Sequence, residues 1–446
     1  MWKTAVAGID LTGQTRAVFG ADPLRVYGRI DEITGIIIKA VGIRVSIGEA
    51  CKIYSDGEDP VDAEVVGFRE GKVLLMSVGE LSGIKPGSRV FPIGKKVSVR
   101  VGPDLVGRII DDAGNPIDNK GPVRGVDYPL FASSPNPLRR QRISEPLDLG
   151  IRAINGLITC GKGQRVGIMS GSGVGKSVLL GMISKYTEAD VNVIGLIGER
   201  GREVREFIER DLGKEGLAKS VVIVSTSEKS PLAKVRGAFT ATAVAEYFRD
   251  QGKHVLLLMD SLTRVAMAQR EIGLAAGEPP ASKGYTPSVF ALLPKILERV
   301  GTAEGKGSIT GLYTILVEGD DLTEPVADSA RSILDGHVVL SRDLAMENHY
   351  PAIDVLRSIS RVMPDIVDAR HKEYAGRFVE TLANYKRLED MINLGAYKEG
   401  SNPKVDYAIK MIDRLRGYLR QGMNDRRDLG DSQQGLFCLF DEVKSE

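Results

Sequence analysis

The chain has little that would staple it, anchor it in a membrane or draw it to nucleic acid. Its three cysteines, Cys51, Cys160 and Cys438, stand far apart. They form neither a metal-binding spacing nor a disulfide framework, so a reducing cytoplasm is the default setting. No apolar run is long enough to span a bilayer. The first residues, Met1-Trp2-Lys3-Thr4-Ala5-Val6-Ala7, lack a long apolar stretch and a cleavage site, and are read as no signal peptide. Lysine and arginine number 60 against 59 acidic residues, a formal net charge of +1. A protein that grips nucleic acid through phosphates is usually more basic. The N-terminal strands also lack the aromatic-plus-basic clusters on which bases stack. Nucleic acid is therefore not expected as a partner.

What is present has the balance of a globular protein: 42% hydrophobic and 27% charged residues over 446 positions. That length is too great for one core, so two or three domains are expected. Residues 1–24 show little periodicity and read as an arm. Within residues 25–92, Arg25–Ile30, Gly35–Ile38, Ala50–Tyr54, Ala63–Phe68 and Lys72–Met76 are short, β-branched runs separated by turns. That spacing predicts a small β-barrel or sandwich. Residues 93–148 are turn-rich and carry Pro129, Pro135, Pro137 and Pro146, and read as a connector followed by an extended linker. From 149 to 364 apolar runs alternate with helical patterns: Gln164–Met169, Val191–Ile197, Val221–Val224, His254–Met259, Leu312–Val317 and His337–Leu340. Such runs predict a mostly parallel sheet covered on both faces. Over 365–446 the strands stop, and Val405, Ala408, Ile409, Ile412, Leu415 and Leu419 recur at helical spacing, which predicts a C-terminal helical domain.

The chemistry starts at one turn. Gly171-Ser172-Gly173-Val174-Gly175-Lys176-Ser177 follows the apolar run ending at Met169 and precedes the helix-like Val178–Ile183. Strand, glycine-rich turn and helix form the context of a phosphate-binding loop. The glycines let several N–H groups point into one hollow, and the helix N-terminus adds partial positive charge. Lys176 would reach the β- and γ-phosphates of a bound nucleotide, and Ser177 would offer a hydroxyl to Mg²⁺. The strict pattern wants glycine at position 170, where this chain has Ser170, a residue that tolerates positive φ poorly.

Two further strand ends carry carboxylates. His254–Met259 runs into Asp260, and ligands of parallel sheets sit at the carboxyl ends of strands. Asp260 is placed to hold the Mg²⁺ shell; the competing reading is an N-cap for the next helix. Val191–Ile197 runs into Gly198-Glu199-Arg200-Gly201-Arg202-Glu203. Glu199 would orient a water and accept its proton, Arg200 would pair with it or a neighbour, and Glu203 would reach the metal's waters. The competing reading is a solvated charge run that opens a helix.

Glycine-rich loop, Gly-Glu-Arg and Asp-ended strand stand in the order seen in the F1/V1-type rotary ATPases, which the chain resembles. Pro351–Ser360 looks like that superfamily's long signature, Gly102–Gly121 resembles its barrel-to-core connector, and Gly319–Pro325 is similar to its loop facing the central stalk. Within the superfamily, Gly277–Phe290 and Gly395–Pro403 resemble the ATPases of type III secretion, most of all those of flagellar export. The acidic Asp-Glu-Leu-Ser-Glu-Glu-Asp stretch of the F1 β subunit is absent.

The resemblance implies a RecA-like P-loop α/β core with an N-terminal β-barrel and a C-terminal helical domain. It implies ATP hydrolysis with Mg²⁺, using Gly171, Ser172, Gly173, Val174, Gly175, Lys176, Ser177 and Val178 around the phosphates. It assigns catalysis to Lys176, Glu199 and Arg200, and the metal shell to Ser177, Glu203 and Asp260. Arg361 matches the arginine finger that reaches into a neighbouring subunit's site. Tyr350 matches the aromatic that stacks on adenine, and Tyr418 is read as a second adenine contact. One chain carrying both Glu199 and Arg361 is expected to close a homohexameric ring with sites at its interfaces. The implied partners are export-gate, stalk and regulator proteins and substrate–chaperone complexes, at the cytoplasmic face of the inner membrane. The alternatives are a virulence-type secretion ATPase, a rotary ATPase subunit, a non-catalytic nucleotide-binding subunit, and an RNA translocase on the same core.

Overall fold

The computed structural model describes residues 26–441 apart from 56–58, 80, 82, 95–96, 318 and 320. The arm read over residues 1–24 lies outside the described residues. The chain divides into two compact units, Met1–Lys95 and Lys96–Glu446.

The first unit is a closed barrel of six strands: β1 (Gly28–Thr34), β2 (Ile37–Val41), β3 (Ala50–Tyr54), β4 (Val61–Arg69), β5 (Lys72–Ser77) and β6 (Arg89–Pro92), in the order β1-β2-β5-β4-β3-β6. Closure leaves no open edge. Alternate residues point inward, and Ile30, Ile38, Ile53, Val65, Leu75 and Val90 fill the barrel. The sequence pattern named five of these strands. The sixth, Arg89–Pro92, is only four residues long and ends in proline, which gives periodicity little to register.

The second unit is built on one sheet. Its strands are β8 (Ile109–Asp111), β10 (Arg165–Ser170), β11 (Val191–Ile197), β12 (Ser220–Ser225), β13 (His254–Asp260), β15 (Ser308–Leu316), β16 (Gly336–Leu340) and β17 (Ile353–Ser360), in the order β17-β16-β10-β15-β13-β11-β12-β8; β14 (Gly301–Thr302) pairs with β15. All ladders are parallel except β16–β17 and β14–β15. The central strands are buried on both faces, as their unbroken apolar runs require. The parallel α/β core and the barrel agree with the sequence reading.

Two features inside residues 93–148 escaped that reading. Ile109–Asp111 is the edge strand of the core sheet, parallel to β12. Three residues are too few for a period to show. The proline-rich stretch that follows is extended, but it is strapped to the core. Within it, β9 (Val126–Pro129) pairs with β7 (Ser98–Val101). Tyr128 donates to Asp250 at 2.7 Å, Thr302 donates to the Gln141 carbonyl at 2.6 Å, and Lys162 pairs with Glu145 at 2.9 Å. The fully buried Arg299 donates to the Leu130 carbonyl at 2.7 Å and is neutralised by Glu246.

The helices Ala369–Asn393, Pro403–Leu419 and Leu429–Asp441 pack onto this unit. Phe378, Leu415, Leu436 and Phe440 share one hydrophobic cluster with Ile154, Leu157, Ile168 and Leu180 of the core.

Candidate active site

The site forms where β10, β11 and β13 end. These strands are parallel, so their carboxyl ends lie at one edge of the sheet, and the residues just past them converge. After Ser170 the chain turns through Gly173 and Gly175, both at positive φ (80° and 87°), and enters the helix Lys176–Tyr186. Positive φ strains any residue with a Cβ. At Gly175 a Cβ would also sit 3.4 Å from the ring of Tyr350. Ser170 itself remains in the strand and is not among the positive-φ residues. The departure from the strict loop pattern therefore costs nothing, because the backbone there is extended. Gly171 and Val174 are buried, Ser172 and Gly173 face outward, and Lys176, Ser177 and Val178 are half-buried.

Lys176 is drawn between two carboxylates. Its Nζ lies 2.5 Å from Asp260 Oδ1 and 3.6 Å from Glu199 Oε1. The Lys176 and Glu199 side chains are each 14% exposed. Burial alone would lower the ammonium's pKa, but Asp260 and Glu199 more than offset it, and the pKa is raised. Asp260 accepts a second bond, from the hydroxyl of Thr314 at 2.6 Å. The N-cap of the helix that follows is Ser261, whose Oγ accepts from Arg264 N. The capping reading of Asp260 is thus replaced, and its carboxylate is left to the site.

Glu199 follows the left-handed turn at Gly198 (φ 77°), where a Cβ would meet the stem of Arg264 at 2.7 Å. The Gly198 N–H is tied to Ser225 O at 2.6 Å, and the Glu199 carbonyl accepts from Ser227 N at 2.9 Å. These bonds turn the side chain inward, so Glu199 is not part of a solvated charge run. Burial is the main force pushing its pKa up to about 7; Lys176 pulls the other way, and Asp260 and Glu203 add to the rise. Glu203 shares a hydrogen bond with Glu199, which holds its own carboxyl below the usual range. Its Oε2 also accepts from Arg200 N at 3.4 Å, closing the first turn of the helix Gly201–Glu206. Arg200 is exposed.

The remaining residues divide. Tyr350 stands beside the phosphate loop with its ring on the Gly175 side, 42% exposed. Tyr418 does not face this site: it is 4% exposed, its hydroxyl donates to the Ser432 carbonyl, and its ring packs against Phe378. The reading of Tyr418 as a second adenine contact is corrected to that of a core residue. Arg361 lies at the other end of the sheet. β17 runs antiparallel to β16, with Ser360 opposite Gly336, and the Arg361 N–H bonds Asp335 O. Asp335 N in turn bonds Arg165 O, at the start of β10. The five residue steps of β10 from Arg165 to Ser170, at about 3.3 Å each, separate the level of the Arg361 backbone from the phosphate loop of its own chain by roughly 17 Å along the strand direction.

Three participants were not found from the sequence. Thr314 lies inside an apolar strand run, where a hydroxyl carries no periodic signal. Arg264 comes one helical turn after Asp260, a spacing that would have flagged it. Gln421 holds the Tyr350 carbonyl through its N–H at 2.9 Å, while its side chain bonds Arg152 N and the carbonyls of Gly150 and Asp425. No sequence pattern marks a lone glutamine after a helix.

The donors around this hollow are all oxygens: one hydroxyl and a few carboxylates. No group of three or more His, Cys, Asp or Glu side chains able to cage a metal exists among the described residues. That suits a hard cation held mostly by substrate phosphates and water. Also among the described residues, no helix is long and apolar enough to cross a membrane.

Comparison with known proteins agrees with this architecture. Residues 30–94 match the beta-barrel domain of the ATP synthase alpha/beta family, and residues 150–360 match its nucleotide-binding domain. Residues 367–437 match the T3SS EscN ATPase C-terminal domain. The chain is 52% identical to the flagellum-specific ATP synthase of Pseudomonas aeruginosa over 436 residues, 96% of each protein. It is 50% identical to the type 3 secretion system ATPase of Xanthomonas euvesicatoria over 399 residues, 89% of this chain and 90% of that one. The assembled ATPase EscN of enteropathogenic E. coli superposes with a TM-score of 0.87 at 46% identity, covering 92% of this chain and 99% of EscN. EscN in complex with its central stalk EscO gives 0.84 at 45% over the same shares. The chain therefore belongs to the ATP synthase alpha/beta family and, within it, to the ATP-hydrolysing enzymes of type III protein export.

Proposed function

We propose that the chain hydrolyses Mg²⁺-bound ATP to drive flagellar protein export, with Lys176, Glu199 and Asp260 as the chemical centre. The observation that carries this reading is the ammonium of Lys176 held 2.5 Å from Asp260 and 3.6 Å from Glu199 beside a glycine-rich turn. Lys176 is the mobile cation. It exchanges its carboxylate partners for the β- and γ-phosphates when nucleotide enters, while the loop N–H groups of 171–178 surround the phosphate oxygens. Ser177 and Asp260 would hold Mg²⁺ and its waters, with Glu203 at the outer edge, and the bound metal would neutralise the phosphate charge.

Glu199 orients a water in line with the γ-phosphate and accepts its proton as the new P–O bond forms. The bond between the γ-phosphorus and the β–γ bridging oxygen breaks, and ADP leaves with that oxygen. A carboxyl whose pKa is near 7 is well matched to taking a proton at neutral pH. Arg200, next in the chain after Glu199, acts through its charge on Glu203, the carboxylate that shares a hydrogen bond with Glu199. Tyr350 offers its exposed ring to adenine. Arg361 acts on the site of the next copy, which makes the working unit a ring of identical chains, read as a hexamer.

Flagellar rather than virulence export is favoured by the flagellum-specific relatives at 52% identity over nearly the whole chain. The partners on this reading are a central stalk, export-gate and regulator proteins and substrate–chaperone complexes. The setting is the cytoplasm, against the inner face of the membrane. E199Q tests the chemistry: nucleotide binding is kept and turnover falls by about 10²- to 10⁴-fold. Turnover at the parental rate would remove Glu199 from its role. Crosslinked affinity capture from the native cell tests the export role. Flagellar gate, stalk and chaperone proteins are expected, and a non-identical nucleotide-binding subunit with an ion-driven membrane rotor would overturn it.

A further inference from the structure

We propose that Thr314 is a positioning residue for Asp260, whose hydroxyl fixes the carboxylate in the orientation that holds the metal's water shell. The inference rests on the reading of Asp260 given above. Thr314 sits in β15, completely buried, among Leu312, Tyr313 and Ile315, which are equally shut off from water. A hydroxyl in such surroundings is costly unless it is bonded. Thr314 stands one register step beyond the Met259–Tyr313 pair, which puts it next to Asp260 on the same face of the sheet. Its Oγ1 donates to Asp260 Oδ1 at 2.6 Å, and the other acceptor in reach, the Met259 carbonyl, is 3.4 Å away. The bond to the charged oxygen is the shorter and the stronger.

Lys176 uses the same oxygen, Oδ1, at 2.5 Å. When the ammonium turns to the phosphates, Thr314 is the donor that stays. It keeps Oδ1 tied to β15 and so holds the plane of the carboxylate that faces the hollow. β15 is a stiff base for this task. Leu316 N donates to Thr263 Oγ1 at 2.9 Å, in the helix after Asp260. Val317 N donates to Ser170 O at 3.0 Å, at the entrance to the phosphate loop. A partner of this kind, one bond behind a group that serves a metal, typically changes metal affinity or activity by about 10- to 100-fold.

The test is Mn²⁺ binding to the full chain in the presence of ADP, read from the electron paramagnetic resonance signal of free Mn²⁺. ADP affinity in EDTA and the melting temperature without nucleotide are measured alongside. T314V keeps the shape and strand preference of threonine and removes only the hydroxyl. It is expected to weaken Mn²⁺ binding by roughly tenfold, with metal-free ADP affinity unchanged. T314S is expected to restore the parental value; failure to do so would assign the effect to strand packing and overturn the proposal. T314A carries the same comparison if T314V melts early. D260N separates the two readings. If D260N loses Mn²⁺ affinity while T314V and T314A bind as the parent does, Thr314 has no positioning role and Asp260 keeps its own. If D260N also binds as the parent does, the reading of Asp260 fails and the proposal fails with it.

Discussion

The two ends of the core sheet present their charges in opposite ways. At the carboxyl ends of the parallel strands, the buried Asp260 and the half-buried Lys176 and Glu199 are turned on one another. At the amino ends, Arg361 is exposed, and among the described residues its guanidinium has one hydrogen-bond partner, the Arg331 carbonyl at 3.5 Å, at the edge of hydrogen-bonding distance. Yet the backbone around Arg361 is firmly held. Its N–H bonds Asp335 O at 3.0 Å, and the preceding Ser360 hydroxyl bonds Thr159 O at 2.8 Å. Asp335 is itself gripped by Arg165 through paired bonds at 3.1 and 3.2 Å. On the reading proposed above, the pinned backbone presents the Arg361 cation to a neighbouring copy, whereas the carboxyl end stores the cation that its own site would use.

The strongest way to break this contrast is R361A. If Arg361 completes a neighbour's site, its loss costs about 10³- to 10⁵-fold in turnover and leaves the fold and nucleotide affinity intact. Mixing gives the sharper result. R361A chains keep Glu199, E199Q chains keep Arg361, and a mixed ring contains some interfaces with both. ATP hydrolysis by the mixture is expected to exceed that of either protein alone. R361A working at the parental rate, or a mixture that stays inactive while rings form, would remove Arg361 from this role.

A smaller effect tests the carboxyl end through pH. Burial raises the Glu199 pKa to about 7, so in the free enzyme the base is half-protonated near neutrality. The base works only when ionised, so kcat/KM should rise with pH through that range, and at pH 6 it should be about a tenth of its plateau. Glu203 contributes to the rise, and E203Q should therefore move the acidic limb to lower pH. A limb that ignores E203Q would detach Glu203 from Glu199.

The same contrast explains what the sequence could disclose. Residues 164–177 and 254–260 were legible because a parallel sheet writes long apolar runs and puts its chemistry where they stop. That rule singled out Asp260 once the phosphate loop stood upstream, whereas for Glu199 it left the solvated charge run open and the family resemblance was needed as well. β8 was hidden because three residues carry no period, and the strap over 126–146 because prolines look alike whether an extended segment is free or tied down. Tyr418 was misjudged for a different reason. A tyrosine at helical spacing reads the same whether its ring faces a ligand or a core, and here the hydrophobic cluster claimed it. Arg361 was named through family resemblance; its place at the opposite end of the sheet from the loop follows from β-register, which a sequence does not record.

The smallest predicted effect concerns the aromatic side of the site, where two tyrosines that look alike in sequence have opposite fates. Tyr350 is exposed beside Gly175 and Tyr418 is enclosed by Phe378 and Ser432. An aromatic pair contributes about 0.5–1.5 kcal/mol beyond its area, so Y350A should raise the Kd for ATP by roughly tenfold at most. Y418F removes a hydroxyl that bonds only a core carbonyl. It should leave nucleotide affinity unchanged and lower stability by about 1 kcal/mol, read as an earlier thermal transition. Gln421 joins the two cases, because its N–H holds the Tyr350 carbonyl and its side chain ties that position to residues 150, 152 and 425. Q421A should therefore do both, loosening nucleotide binding less than Y350A while destabilising the fold more than Y418F. If Q421A lowers stability alone, the Tyr350 ring is placed by its own segment of chain, and the C-terminal helices have no hold on the nucleotide.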